Sequence, residues 1–156
     1  MSTYHATLDW HRGSDEFLRQ RYSRGHRWSF DEGLTVPASA SPHAVREPWH
    51  VTRAVDPEEA VVAAVGSCHM LFFLSSASRA GFTVESYVDS PEGRMGRNEQ
   101  GREALTAFTL RPHVTFKERA PSEEEFLAMH AQAHELCYIA NSLRGQVTFE
   151  PTLQVV

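Results

Sequence analysis

The sequence predicts an α+β fold in which antiparallel β-sheets surround two core helices, in the order βββ-α-ββ-α-β. Three observations lead to this prediction: alternating apolar and polar residues near the N-terminus, a long apolar helix beginning at Asp56, and a second capped helix beginning at Ser122. The 156 residues can bury a proper core and fit one domain, which we expect to span residues 1–156.

The N-terminal part of the chain predicts three strands. Apolar residues alternate with polar ones from Tyr4 to Trp10, the pattern returns over residues 26–30, and residues 34–36 follow a turn. The next segment, residues 37–55, is long, irregular and contains three prolines. Connections of this kind are usually functional or lie between subunits.

The first helix has clear signals at both ends. Asp56 is expected to cap it, with Pro57 at the first helical position and Glu59 completing the cap. Arg79 falls in the last turn and Gly81 is a natural stop, so the helix has about 23 residues.

The second half of the chain predicts two strands, a second helix and a final strand. A strand is expected over 82–88, a glycine-rich polar loop over 90–101, and a long strand over 108–117. Ser122 and Glu125 predict a capping box for a helix that runs to Arg144 and includes Cys137. Residues 147–155 then predict one last strand.

Composition excludes several classes of protein. The net charge of −5 argues against a nucleic-acid partner, which needs clustered positive charge. No N-terminal segment has the pattern of a secretory signal, and two cysteines are too few for a secreted disulfide scaffold, so we expect a cytoplasmic protein. Residues 60–77 carry no charge, but their small and polar side chains and the helix cap before them indicate a core helix rather than a membrane span.

The uniformly apolar first helix also predicts a homodimer. One small monomer cannot easily cover all sides of such a helix. Its first half is rich in alanine, glycine and serine, which allow another backbone to approach closely. An intertwined dimer is the simplest arrangement that buries it.

Cys68 and Cys137 are the only cysteines, one on each predicted helix. Such a pair usually acts as a redox couple, binds a metal ion, or serves as two small buried hydrophobic residues. The helix dipole does not activate Cys68, because the residue lies about three turns into its helix. A reactive Cys68 therefore needs a cation from elsewhere, and the arginine-rich segment 19–27 offers several.

Two motifs carry a resemblance to a known family. The run from Asp56 to His69, with Glu58 and Cys68, is similar to the "NPEE…AA…C" helix of the OsmC/Ohr proteins, the osmotically inducible and organic hydroperoxide resistance family. Residues 133–145 resemble the second-cysteine motif of that family. The order of elements also agrees over nearly the whole chain. The resemblance implies the OsmC-like fold.

The resemblance also implies a thiol-dependent peroxidase. In that family the first cysteine attacks an organic hydroperoxide and the second resolves the intermediate, which are the positions of Cys68 and Cys137. A glutamate ten residues before the first cysteine orients an arginine, which matches Glu58. Arg24, nine residues before Gly33, is the arginine that matches best, with Arg21 and Arg27 as alternatives. An external thiol would reduce the disulfide, and no cofactor is implied.

This chain departs from the organic-hydroperoxide branch at two places. Tyr138 follows the second cysteine where that branch has proline, and the loop of residues 22–26 lacks its glycine-rich character. The resemblance is therefore to a side branch of the family, which leaves the preferred peroxide open.

Two alternatives to a peroxidase remain. His130, His134 and Cys137 fall on one face of the second predicted helix, and with Cys68 opposite they could form a Cys₂His₂ zinc site. The fold could also serve as a non-catalytic small-molecule binder. Apolar side chains that could line a pocket in either an enzyme or a binder are Trp49, Met70, Phe72 and Phe73.

Overall fold

The computed structural model describes residues 1–13 and 16–156 and contains two compact units, residues 1–60 and 61–156. The first unit holds the N-terminal sheet and the start of the first helix. The second holds the rest of that helix, the remaining strands and the other helices. The expectation of one domain over residues 1–156 stays a prediction.

The N-terminal sheet is antiparallel, with strand order β1-β2-β3. Its strands are Ala6–Asp9, His26–Phe30 and Thr35–Ala38. Trp28 pairs with Leu8 on one side and Val36 on the other, so the predicted alternation sets the observed register. Short 3-10 turns at Phe17–Arg19 and Asp31–Gly33 make up the other regular structure of this unit.

The long connection from 39 to 55 has no helix or strand of its own but is fixed at its ends. Ala38 bridges Val55, and the amide of Ser39 donates to the carbonyl of Val55 at 3.0 Å. The buried hydroxyl of Ser39 accepts a hydrogen bond from the amide of Val51 at 2.9 Å. The irregular segment is therefore tied back to the sheet.

Helix α1 spans Pro57–Arg79, as the sequence predicts. Asp56 caps it: its Oδ1 accepts from the amide of Glu59 at 2.7 Å, and the Glu59 carboxylate accepts from the amide of Asp56 at 3.4 Å. Within the second unit, the buried residues of α1 form a stripe at helical spacing: Val65, Gly66, His69, Phe73 and Ala77.

Helix α1 is also long and apolar enough to cross a membrane, with a mean hydropathy of 1.7 over an 18-residue window. Length and composition alone are weak grounds for a membrane span, because the core helix of a globular fold meets the same criteria. Only 28% of that window is buried in the single chain, and Leu71 is 61% exposed. The chain alone thus leaves one apolar side of α1 uncovered.

The remaining elements form two three-stranded sheets and two further helices. The strands are β4 Val84–Val88, β5 Glu92–Arg97, β6 Glu103–Leu110, β7 His113–Phe116, β8 Gln146–Phe149 and β9 Thr152–Val155. The sheet orders are β4-β7-β9 and β5-β6-β8. Helix α2 spans Glu123–Leu136 and helix α3 spans Tyr138–Ser142.

The α+β fold class is confirmed, but the element order differs from the prediction in three places among the strands and at one helix break, between α2 and α3. The strand expected over 108–117 breaks at Pro112, and β6 and β7 lie in different sheets. The last strand breaks in the same way at Pro151, because a proline interrupts the hydrogen-bond ladder. The resulting β8 and β9 pair in parallel with β6 and β7, so the sheets are not purely antiparallel.

The third difference is β5, which occupies part of the segment expected to be a loop. Its Gly93 lies so close to α1 that an added Cβ would be 2.5 Å from Cγ2 of Val62. Glycine is needed there for close packing, although it weakens the sequence pattern of a strand.

Two apolar clusters form the core of the second unit. One contains Phe73 and Ala77 of α1 with residues of α2 and of the β4-β7-β9 sheet. The other is built around Val65, Phe108 and Leu110, and includes side chains of α3. Helix α1 contributes its buried stripe to both clusters.

Candidate functional site

The structure brings the two cysteines together. The Cys68 side chain lies close enough to the Cys137 thiol to raise its pKa, and both cysteines are free. Cys68 lies in the middle of α1 and is half-buried, whereas Cys137 is fully buried, with 0% of its surface exposed. The pair is therefore asymmetric: a solvent-borne reagent can reach Cys68 more readily than Cys137.

Burial raises the pKa of the Cys137 thiol to about 11. The amide of Ala140 donates a hydrogen bond to this sulfur, which favours the thiolate, but the neighbouring Cys68 thiol raises the pKa further. Cys137 is therefore a protonated thiol at neutral pH and a poor nucleophile until Cys68 changes state.

Cys137 lies at the junction of two helices, not inside one continuous helix as the sequence predicts. Helix α2 ends at Leu136, and the amide of Cys137 donates to the carbonyl of His134 at 3.3 Å. The Cys137 sulfur then caps α3 by accepting from the amide of Ala140 at 3.4 Å. The extended backbone of Cys137, with ψ of 107°, breaks the helix, so the sulfur does not follow the helical spacing of α2.

Arg24 is held by its own loop within the first unit. Its guanidinium donates to the carbonyls of Gln20 and Tyr22 and lies 3.7 Å from the centre of the Tyr22 ring. Its amide donates to the carbonyl of Trp49 at 2.8 Å. Among residues 1–13 and 16–156, Arg24 makes no ion pair with a carboxylate, so its charge is not neutralised by one.

The two alternative arginines are paired. Arg21 contacts Glu16 at 3.2 Å and Arg27 contacts Asp9 at 3.0 Å, both as exposed ion pairs. Such pairs leave less charge available for another anion, which favours Arg24 of the three. Glu58 lies half-buried in the first turn of α1 and forms no ion pair with Arg24 in the part of the chain that is described.

The proposed zinc ligands do not gather around one point. Within the described residues, no group of three or more histidine, cysteine or acidic side chains is placed to hold a metal ion. Nδ1 of His130 instead lies 2.9 Å from Nε2 of His69, and Cys137 has left the helical spacing that would align it with His130 and His134.

The apolar residues considered for a pocket have different roles. Phe73 is fully buried in the core and cannot line an open pocket. Phe72 and Met70 are half-buried, and the ring of Phe72 meets the ring of Tyr138 edge-on with 5.1 Å between centres. Trp49 is half-buried in the first unit.

Comparison with known proteins gives a consistent result. The OsmC-like protein family matches residues 50–152. The chain belongs to this family. A solved structure of an OsmC-like protein of unknown function from Vibrio cholerae is 46% identical, with a TM-score of 0.94 over 97% of this chain and 99% of that one.

More distant OsmC-like structures share the fold. An organic hydroperoxide resistance protein from Elizabethkingia anophelis is 16% identical, with a TM-score of 0.67 over 100% of this chain and 98% of that one. The organic hydroperoxide resistance protein OhrB of Bacillus subtilis is 17% identical, with a TM-score of 0.63 over 98% of each chain. No curated protein matches the sequence.

This OsmC-like chain also contains a buried histidine pair that the sequence did not reveal. His69 and His130 are 1% and 0% exposed, and their facing nitrogens are 2.9 Å apart. The pair stacks against Phe73 and Phe149. Burial lowers the pKa of His69 to about 4 and that of His130 to about 3, so both rings are neutral at pH 7. The pair joins α1 and α2, the two helices that lead to the cysteines.

Proposed function

We propose that this protein reduces organic hydroperoxides to alcohols by a cysteine-based mechanism and serves in oxidative-stress defence. The observation that carries the proposal is the thiol pair: Cys68 is half-buried, and Cys137, close beside it, is fully buried and protonated. This asymmetry suits a first thiol that meets the substrate and a second that reacts only afterwards.

The first step oxidises Cys68. Its thiolate attacks the terminal oxygen of the hydroperoxide, an S–O bond forms as the O–O bond breaks, and the alkoxide takes a proton from water to leave as an alcohol. Cys68 becomes a sulfenic acid. We assign Arg24 to favour the Cys68 thiolate and Glu58 to orient that arginine, in the roles that the family resemblance implies. Arg24 forms no ion pair with a carboxylate among the residues that the structure describes, and this supports the choice of Arg24 over Arg21 and Arg27.

The second step forms the disulfide. The Cys137 sulfur attacks the Cys68 sulfur, and the displaced hydroxide combines with the proton from the Cys137 thiol to give water. Two external thiols then reduce the disulfide and are themselves oxidised to a disulfide. The two thiols already lie close together, as disulfide formation requires.

The working form is proposed to be a cytoplasmic homodimer. The uncovered apolar side of α1, with Leu71 61% exposed, supports burial against a second copy of the chain. No nucleic acid, membrane or cofactor has a part in this proposal.

Thiol loss after mixing with peroxide tests the function. Reduced protein is mixed with cumene hydroperoxide or with hydrogen peroxide, and free thiols are counted over time. We expect two thiols lost per wild-type chain, faster with the organic peroxide, and none lost from Cys68→Ser. Cys137→Ser is the matched control, because it keeps the nucleophile and a good helix cap. If both wild-type thiols remain unreacted with either peroxide, the result would contradict the peroxidase and favour a non-catalytic small-molecule binder.

A further inference from the structure

The ring contact between Tyr138 and Phe72 lies beside the thiol pair. Phe72 is one helical turn beyond Cys68 on α1, and Tyr138 directly follows Cys137. Their ring centres are 5.1 Å apart with an interplanar angle of 88°, the edge-to-face geometry that aromatic pairs favour. Each partner of this contact is therefore close in the chain to one of the two cysteines.

Helix α3 cannot hold this position by its own stability. It has five residues, far fewer than an isolated helix needs in water. The hydroxyl of Ser142, the last residue of α3, donates to the carbonyl of Tyr138, the first, at 2.7 Å. The Asn141 side chain donates to the carbonyl of Glu135 at 2.9 Å. These bonds stay within residues 135–142 and do not reach α1. Ile139 and Ala140 pack against the cluster around Val65 of α1, and the ring of Tyr138 adds a contact to Phe72, one turn from Cys68.

We propose that Tyr138 is a positioning residue that holds Cys137 against Cys68 through its contact with Phe72, and so sets the rate of disulfide closure. The proposal rests on the function proposed above and deepens it. Tyr138 is 71% exposed, and its one aromatic contact among the described residues is the one with Phe72. Its high exposure also means that it contributes little to the core.

The contact should act on closure and not on the first oxidation. The nucleophile of the peroxide step is Cys68, which is held in the middle of the 23-residue helix α1, and this step does not involve Cys137. Closure needs the buried Cys137 to move onto the Cys68 sulfur, and Cys137 lies at the junction between α2 and α3. Losing one aromatic contact should slow closure about two- to tenfold.

The test separates the two steps and uses two oxidants. In the peroxide arm, one equivalent of cumene hydroperoxide is added, and acid-quenched samples are weighed by mass spectrometry for the sulfenic acid and the disulfide. In the glutathione arm, oxidised glutathione forms a mixed disulfide on Cys68, and Cys137 then displaces reduced glutathione to close the same bond. The second arm measures closure without any peroxidase chemistry.

The rate of disulfide closure is compared between the wild type and three variants. Tyr138→Ala should close about two- to tenfold more slowly in both arms with an unchanged first oxidation, and Tyr138→Phe should restore the wild-type rate. Leu136→Ala is the matched control, since Leu136 is 46% exposed on the other side of Cys137 and makes no ring contact. It should close at the wild-type rate.

The outcomes distinguish the two proposals. Tyr138→Ala closing at the wild-type rate with glutathione, or Leu136→Ala slowing as much as Tyr138→Ala, would overturn the role of Tyr138. So would a wild-type protein that forms no disulfide with glutathione. Normal closure with glutathione but no reaction with peroxide would overturn the peroxidase and leave the positioning role in place.

Discussion

Acidification is expected to destabilise the protein through the buried pair His69 and His130. In the folded state burial lowers their pKa values to about 4 and about 3, from an ordinary value of 6.5. At a pH between the lowered values and 6.5, the two histidines bind protons in the unfolded chain but not in the folded chain. The free energy of unfolding is therefore unaffected by the pair above about pH 7.5 and falls as the pH drops through 6.5.

The expected magnitude follows from these pKa values. At pH 5 each histidine costs about 2 kcal/mol, so the pair removes about 4 kcal/mol relative to pH 8. At pH 5.5 unfolding should take up about 1.8 protons, which corresponds to about 2.5 kcal/mol per pH unit. A loss of this size is a large part of the stability of an ordinary domain. The acidic residues whose pKa values are lowered, Asp9, Glu92 and Glu125, are half-buried or exposed and act at lower pH.

Urea denaturation between pH 5 and pH 8, at one fixed protein concentration, measures this dependence. His113→Gln is the matched control, because His113 is exposed on β7 and its replacement should leave the slope unchanged. The double variant His69→Gln with His130→Gln should lose most of the slope. NMR titration of the wild-type imidazoles gives a second measurement that requires no variant. An uptake below about half a proton at pH 5.5, or either ring titrating near 6.5, would refute the reasoning.

Three further predictions concern packing, the arginine and assembly. Gly93→Ala should lower the unfolding free energy by about 1–3 kcal/mol in urea titrations, because the new Cβ would meet Val62; a variant as stable as the wild type would contradict the packing. Arg24→Ala should slow both the alkylation of Cys68 at neutral pH and the first peroxide step in a folded protein, whereas Arg27→Ala should change neither. If Arg24→Ala reacts at the wild-type rate, the arginine is misassigned. Sedimentation at micromolar concentration should show a dimer, and a 17.6 kDa species alone would contradict it.

The sequence revealed local features of the fold well. The cap at Asp56, the bounds of α1 and the capping box at Ser122 all depend on residues within a few positions of one another, and all three are confirmed. The sequence does not predict that the two halves of a broken strand lie in different sheets. Pro112 interrupts the strand pattern, but which sheet receives each half depends on residues far along the chain.

The thiol pair could be predicted only in part. The motifs located both cysteines, and the structure brings them together, but the helix break at Cys137 has no glycine or proline to announce it. The histidine pair could not be predicted, because its members are 61 residues apart and each looks alone like an ordinary helical histidine. The lack of an ion pair between Arg24 and Glu58 is likewise a property of the folded chain, and their roles stay predictions.

The central claim is that Cys68 reacts first and Cys137 resolves it. Mass spectrometry of wild-type, Cys68→Ser and Cys137→Ser proteins treated with cumene hydroperoxide tests this most directly. The wild type should form a Cys68–Cys137 disulfide, Cys68→Ser should stay unmodified, and Cys137→Ser should progress to the sulfinic acid at Cys68 in excess peroxide. Two intact thiols in the treated wild type, or oxidation of Cys137 before Cys68, would contradict the account.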